Sequence, residues 1–387
     1  MARFTDTNRS NWHSIEYRQR VANKDHLNSS DRASQHDYFF AFDGIRALAV
    51  IAVATWHVGS TWLPRLQGNR GVTTFFALSG FLITTILLRE EQRSGSVNIR
   101  AFMIRRAFRI LPLYFVALTT YVVSDVFIYR SSELTSRWRE YWPLYFTFMQ
   151  DIPGPLGWPR APFGVAWSLA VEEKFYLIWP IIAFKVLRHR ARIVSASIGV
   201  AVLGLSIVLL ESTRTVALMR PYFPVLCGCL LAFVLHFQCI NERIRRMEIK
   251  WWRRGLGVAV CIPWAAPNSA VSFIGYSLLS CLLVAAFSIG NESTWLTNRY
   301  ISWIGRRSYA IYLFHVLLIR VLGRTPLPPF CGEVTRQLTI LIGALVASAM
   351  IAEVLHKVVE IPMIAIGKGL ALRTSAGMRP SDGASLR

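Results

Sequence analysis

A few residues of this sequence combine a reactive side chain with an apolar setting, and they fall into a pattern. Arg46 and His57 lie in the run IRALAVIAVATWHVGSTWL, eleven positions apart. Eleven helical steps return to within about 20° of the same face, with an axial offset of roughly 16 Å. They make one polar stripe, with an imidazole able to act as general base at one end. A second run, WSLAVEEKFYLIWP, puts Ser168, Glu172 and Tyr176 on one helical face, with Glu173 beside them. Glu172 lies about 9 Å below the start of that helix, near the depth expected for His57. A carboxylate there is expected to orient the imidazole and stabilise its charged form. The run RRAFRILP supplies Arg105, Arg106 and Arg109, and Arg105 and Arg109, one turn apart, form a fork suited to phosphate. The run RRSYAIYLFHVLLI adds Tyr312 and His315, expected to line or pack the site, and VEIP ends an apolar run with Glu360. Plainer explanations stand beside each: a lone histidine often packs, and arginines beside an apolar run follow from membrane topology alone.

The elements that must position these residues are membrane helices. The chain has 387 residues, 53% hydrophobic and 17% charged, with a mean hydropathy of +0.38. A soluble domain carries about a quarter charged residues. Residues 193–210, 222–239, 270–290 and 337–355 reach the roughly 18–20 apolar positions needed to cross a hydrocarbon core. An ionisable residue inside such a span costs about 2.5–3.5 kcal/mol, so those present mark an interior or a wet cavity. The expected fold is an all-α polytopic membrane protein with a single bundle of about ten transmembrane helices. They are placed at 42–63, 72–88, 107–128, 166–187, 193–210, 222–239, 255–267, 270–290, 308–323 and 337–358. The seventh is broken by Pro263 and Pro267. Between the third and fourth, residues 130–165 are rich in Trp, Tyr, Pro and Gly, and the patch WPLYFTFM is expected at the interface or capping the bundle.

The 43 Lys plus Arg against 22 Asp plus Glu do not indicate a nucleic-acid partner, because they alternate with the spans. They cluster in 1–35, 89–109, 188–192, 240–254 and 299–307 and after Lys368, while 64–71, 211–221 and 324–336 hold few. By the positive-inside rule both termini face the cytoplasm. Three segments result: a basic cytoplasmic leader over 1–37 expected to be disordered, a transmembrane domain over 38–362 and a cytoplasmic tail over 363–387. The six cysteines have neither disulfide nor metal spacing. No metal is expected, and neither a phosphate-cradling glycine loop nor a nucleophile elbow occurs.

From about Phe42 to Pro362 the chain resembles the acyltransferase-3 family of membrane acyltransferases. The resemblance rests on FDGIRALAVIAVATWH, GVTTFFALSGFLIT, FMIRRAFRILPLY, WSLAVEEKFYLIWP, SYAIYLFH and VEIP, in that order. It implies that Arg46 and His57 are the essential pair and that Glu172 is the motif acid. Arg105, Arg106 and Arg109 would then meet an acyl-CoA donor, most simply acetyl-CoA as co-substrate. His315 and Glu360 match closing motifs of less defined role. The implied acceptor is a hydroxyl of a surface or lipid-linked glycan, such as an exopolysaccharide, O-antigen or Nod factor, with the lipid bilayer and glycan biosynthesis or export proteins as partners. The family often adds an extracytoplasmic hydrolase-like domain, and the stand-alone form is expected here. The alternative is a glycan transporter or flippase using Arg, His and Glu as a proton relay. The charge alternation gives the first testable expectation: in a Cys-free background, Gln67→Cys and Thr325→Cys react with an impermeant maleimide in intact spheroplasts, whereas Ser94→Cys and Lys250→Cys do not. Labelling of the latter two defeats the topology.

Overall fold

A computed structural model describes residues 39–59, 67–159, 162–236, 269–288, 295–325 and 332–376. The expected seventh helix, the leader over 1–37 and the basic stretch 240–254 lie outside them. Among the described residues the chain is helical and has no strand. The main elements are α1 (Phe40–His57), α2 (Arg70–Ser94), α3 (Ile99–Val123), α4 (Ser132–Phe146), α5 (Trp167–Ile181), α6 (His189–Leu209), α7 (Tyr222–His236), α8 (Ala270–Ser288), α9 (Ser308–Leu322), α10 (Glu333–Leu355) and α11 (Ile361–Ala376). Among the described residues six stretches are long and apolar enough to cross a membrane, and α7 and α9 are shorter apolar helices.

The outward faces show what surrounds the bundle. Leu338, Ile342, Val346, Met350, Val354 and Val358 are all exposed at four-residue intervals along α10 and its extension. That stripe is about 30 Å long at 1.5 Å per residue, the thickness of a bilayer core. Val194, Ile198, Val202 and Leu205 make a similar stripe on α6. Such surfaces are stable against lipid and not against water.

Three helices continue through a π-turn: α3 through Ser124–Ile128, α5 through Ile182–Val186 and α10 through His356–Glu360. The last differs from the sequence expectation. VEIP does not end the helix; α10 runs on into α11, and the continuous apolar stretch Glu333–Thr374 has 42 residues. At about 63 Å it is twice the membrane core, so one end projects beyond it. The projecting α11 packs along α3, where Gly367 meets Phe108.

The chain ends fall into two sets. At the basic end, Arg192 of α6 is buried, makes paired bonds of 2.6 and 2.8 Å to Glu91 at the end of α2 and stacks on Phe184. At the aromatic end, α4 forms a cap over the bundle. Its Trp138 Nε1–H donates to buried Asp125 at 3.1 Å, and Arg320 of α9 donates to the same carboxylate at 2.5 Å. Within the WPLYFTFM patch Trp142 and Phe146 are exposed, as expected of an interfacial segment.

At the centre α2 and α7 are in close contact through two reciprocal glycines. A Cβ at Gly80 would collide with the Val225 carbonyl, and one at Gly228 with the Ala77 carbonyl. In lipid, helix association relies on such close packing. The same contact fixes Ser79, beside Gly80, in rotation and depth. Gly228→Val is expected to force the pair apart and lower stability by about 1–3 kcal/mol, seen as a lower unfolding temperature of detergent-purified protein. Gly154→Ala, at a glycine with open space, serves as the control.

Candidate active site

His57 closes α1 and His315 lies in the middle of α9, and the fold brings them together. Their rings are 5.0 Å apart at 74°, and His315 Nε2 is 3.3 Å from His57 Nδ1. Backbone carbonyls settle the tautomers, because a carbonyl can only accept. His315 Nδ1 is 2.7 Å from the Tyr312 carbonyl and so carries its hydrogen, leaving Nε2 with a lone pair. His57 Nδ1 is 2.9 Å from the Val53 carbonyl and likewise carries its hydrogen. That N–H donates to Val53 and also faces the His315 lone pair. His57 Nε2 is left as a free base, on a side chain that is exposed while His315 is 0% exposed. The arrangement holds a neutral imidazole ready to take a proton and gives the resulting cation a lone pair to face.

Glu172 is elsewhere. It was expected to orient His57; instead Ser79 Oγ–H donates to Oε1 at 2.6 Å and the Tyr176 hydroxyl donates to Oε2 at 3.0 Å. Arg106 stacks over the Tyr176 ring at 5.4 Å, and both Arg106 and Arg46 lie within electrostatic reach of the carboxylate. The physical reason is axial offset. Ser168, one turn before Glu172, already meets Tyr312, one turn below His315, at 2.8 Å. Glu172 therefore sits level with the Arg46 end of the stripe, about two turns below His57. Arg46 itself pairs with buried Asp43 at 3.4 Å, and Arg306 approaches the same carboxylate at 3.7 Å. Arg46 and His57 do share a helix, but with roughly 16 Å between them they do not meet one reacting atom.

Arg105, Arg106 and Arg109 of α3, expected together at the donor, separate. Arg105 pairs with Glu90 at 3.1 Å and, with Lys368, Ala371 and Leu372 of α11, lines a cavity of about 190 Å³. Arg106 turns inward to Tyr176 and Glu172, and Arg109 is exposed. Glu360 is not held by an arginine; buried in the π-turn, it accepts from His356 Nδ1 at 2.6 Å. The arginine–carboxylate pair of that region is Arg307 with Glu353. Glu173 lies next to Glu172 and within reach of Tyr114 and Tyr309. No three-ligand metal cluster occurs among the described residues.

Several site residues were not singled out by sequence. Ser79 is an ordinary serine in an apolar run, and only its neighbour Gly80 hinted at close packing. Asp43 stood in the FDGIR motif without a role. Lys368 fell in what read as tail. Asp151, in the loop after α4, takes Lys174 in a close ion pair of 2.6 and 2.7 Å that ties the cap to α5.

The chain was compared with known proteins. A sequence profile described as an acyltransferase domain matches residues 39–353. Among curated relatives, the peptidoglycan O-acetyltransferase OatA of Listeria monocytogenes is 29% identical over 321 residues, 73% of this chain and 49% of the relative. A putative O-acetyltransferase of Staphylococcus aureus is 29% identical over 312 residues, 73% and 51% of the two chains. The putative peptidoglycan O-acetyltransferase YrhL of Bacillus subtilis is 27% identical over 375 residues, 86% and 56%. The chain thus spans about half the length of these relatives, and no solved structure matches it.

The Glu172 cluster generates a thermodynamic test. Ser79→Ala and Tyr176→Phe each remove one donor to an inward carboxylate and should each cost about 1–3 kcal/mol. Because both donors serve one carboxylate, the double variant is expected to depart from additivity by about 0.5–3 kcal/mol. Additive losses in thermal unfolding would mean that the two hydroxyls act independently.

Proposed function

This chain belongs to the acyltransferase-3 family, and we propose that it transfers an acyl group, most simply acetyl, from a cytoplasmic acyl-CoA to a glycan hydroxyl on the far side of a bacterial inner membrane. The observation that carries this reading is the free Nε2 of His57, with its Nδ1–H committed to Val53 and His315. The basic end faces the donor. Arg105, Lys368 and Arg109 offer cations to the phosphates of coenzyme A, and Arg106, Arg46 and Glu172 line the way towards His57. The acceptor enters from the aromatic end. Exposed Trp158 and Trp142 there present flat faces suited to sugar rings.

In the transfer, the acceptor O–H gives its proton to His57 Nε2 while its oxygen bonds to the thioester carbonyl carbon. The tetrahedral species collapses, the C–S bond breaks, and the imidazolium returns the proton to the leaving sulfur. Acyl ester and free thiol result, with no net proton change. His315 accepts from the imidazolium Nδ1–H throughout, the orienting role first assigned to Glu172. Arg46 serves donor placement, since its depth is wrong for the carbonyl at His57. The relatives named for peptidoglycan make a cell-wall glycan the first acceptor to test.

General-base assistance contributes about 10²–10⁴-fold. His57→Gln, which keeps hydrogen bonding but cannot take up a proton, is therefore expected to lower thiol release from acetyl-CoA by that factor at unchanged protein level and donor binding. His315→Gln should cost less. Near-normal transfer by His57→Gln would remove the mechanism; a loss of folded protein matching the loss of activity would return His57 to a packing role.

A further inference from the structure

Glu173 is the group that this mechanism leaves unused. It lies inside the bundle near Arg106, Glu172, Tyr114 and Tyr309, yet its Oε1 is fully buried and accepts no hydrogen bond. The two phenols beside it cannot supply one. The Tyr309 hydroxyl donates to the Ile110 carbonyl at 3.1 Å, and the Tyr114 hydroxyl donates to the Tyr145 carbonyl at 2.9 Å. Their protons are committed to backbone. A buried acceptor without a donor costs about 1–3 kcal/mol; of the few such atoms among the described residues, Glu173 Oε1 is the one on a carboxylate.

The position indicates which donor. Glu173 is five residues along α5 from Ser168, which meets Tyr312 one turn below His315, so it lies about 12 Å below the histidine pair. It stands on the arginine side of His57, within electrostatic reach of Arg106. A donor held by Arg105 and Lys368 would approach His57 from this side, and an acceptor from the aromatic end would not. The stretch of coenzyme A that would lie here is the pantetheine arm, whose secondary amides carry N–H donors. We propose that Glu173 is the pantetheine subsite of the donor channel: its Oε1 accepts an amide N–H of the arm and so sets the depth of the sulfur at His57. This rests on the acyl-CoA reading given above.

The test uses the full chain in detergent with a peptidoglycan-derived glycan and two donors: acetyl-CoA, and S-ethyl thioacetate, which has no amide. Glu173→Leu removes the acceptor and its unsatisfied burial. It is expected to unfold at a higher temperature than the parent, to raise the KM for acetyl-CoA tenfold or more at nearly unchanged kcat, and to leave kcat/KM for S-ethyl thioacetate unaltered. Glu173→Gln keeps an acceptor oxygen and should stay within threefold of the parent for both donors. If Glu173→Leu does not accumulate, Glu173→Met is read in the same way. An unchanged preference for acetyl-CoA over S-ethyl thioacetate in the apolar variant overturns the subsite, as does an equal fall of kcat with both donors. If the parent releases no thiol from acetyl-CoA with any glycan, the acyltransferase reading itself has failed, and the subsite with it.

Discussion

Hydrocarbon offers no hydrogen-bond partner, and the arrangement of this protein follows from that constraint. Each polar group carried into the bundle must find a donor or acceptor inside it or remain costly. Asp125 meets it with Trp138 and Arg320, Glu172 with Ser79 and Tyr176, and Glu360 with His356. His57 meets it with a backbone carbonyl of its own helix and the lone pair of a second histidine. The requirement to satisfy the Nδ1–H is what frees Nε2. Satisfaction and reactivity are here one arrangement viewed from two sides of a ring.

Holding that arrangement requires helices set to within a fraction of a turn. Apolar side chains facing lipid cannot do this, since they slide against the bilayer at little cost. The setting comes from points where backbone meets backbone, such as Gly80 and Gly228 between α2 and α7, and Gly305 against the Asp43 carbonyl of α1. It also comes from ion pairs at the ends: Arg192 with Glu91 at the basic end, and Lys174 with Asp151 under the cap. The outer faces of α6 and α10 carry only the lipid-facing stripes.

The candidate site is therefore extended along the membrane normal. Cations gather at one end, a carboxylate with two hydroxyl donors and Glu173 occupy the middle, and the imidazole pair stands near the other end. Under the proposed acyl-CoA donor, the phosphates fall at one end of that order and the reactive sulfur at the other. The roughly 16 Å between Arg46 and His57 sets the two apart, although both lie on one face of one helix.

Much of this was legible in the sequence because it depends on local quantities. Transfer free energy adds along a run of residues, so span lengths and the membrane class needed no tertiary information. The helical period places Ser168, Glu172 and Tyr176 on one face, and the order of the motifs pointed to the family. What the sequence left open was which helix stands opposite which, and at what depth. A shift of one turn moves a side chain by about 5.4 Å, enough to give Glu172 to Ser79 rather than to His57 and to bring His315 into the place meant for a carboxylate. The period of one helix is blind to its offset from the next. Nor could it show that the helix runs on through VEIP, placing Lys368 beside Arg105. Those relations belong to packing between helices, and only the tertiary structure decides them.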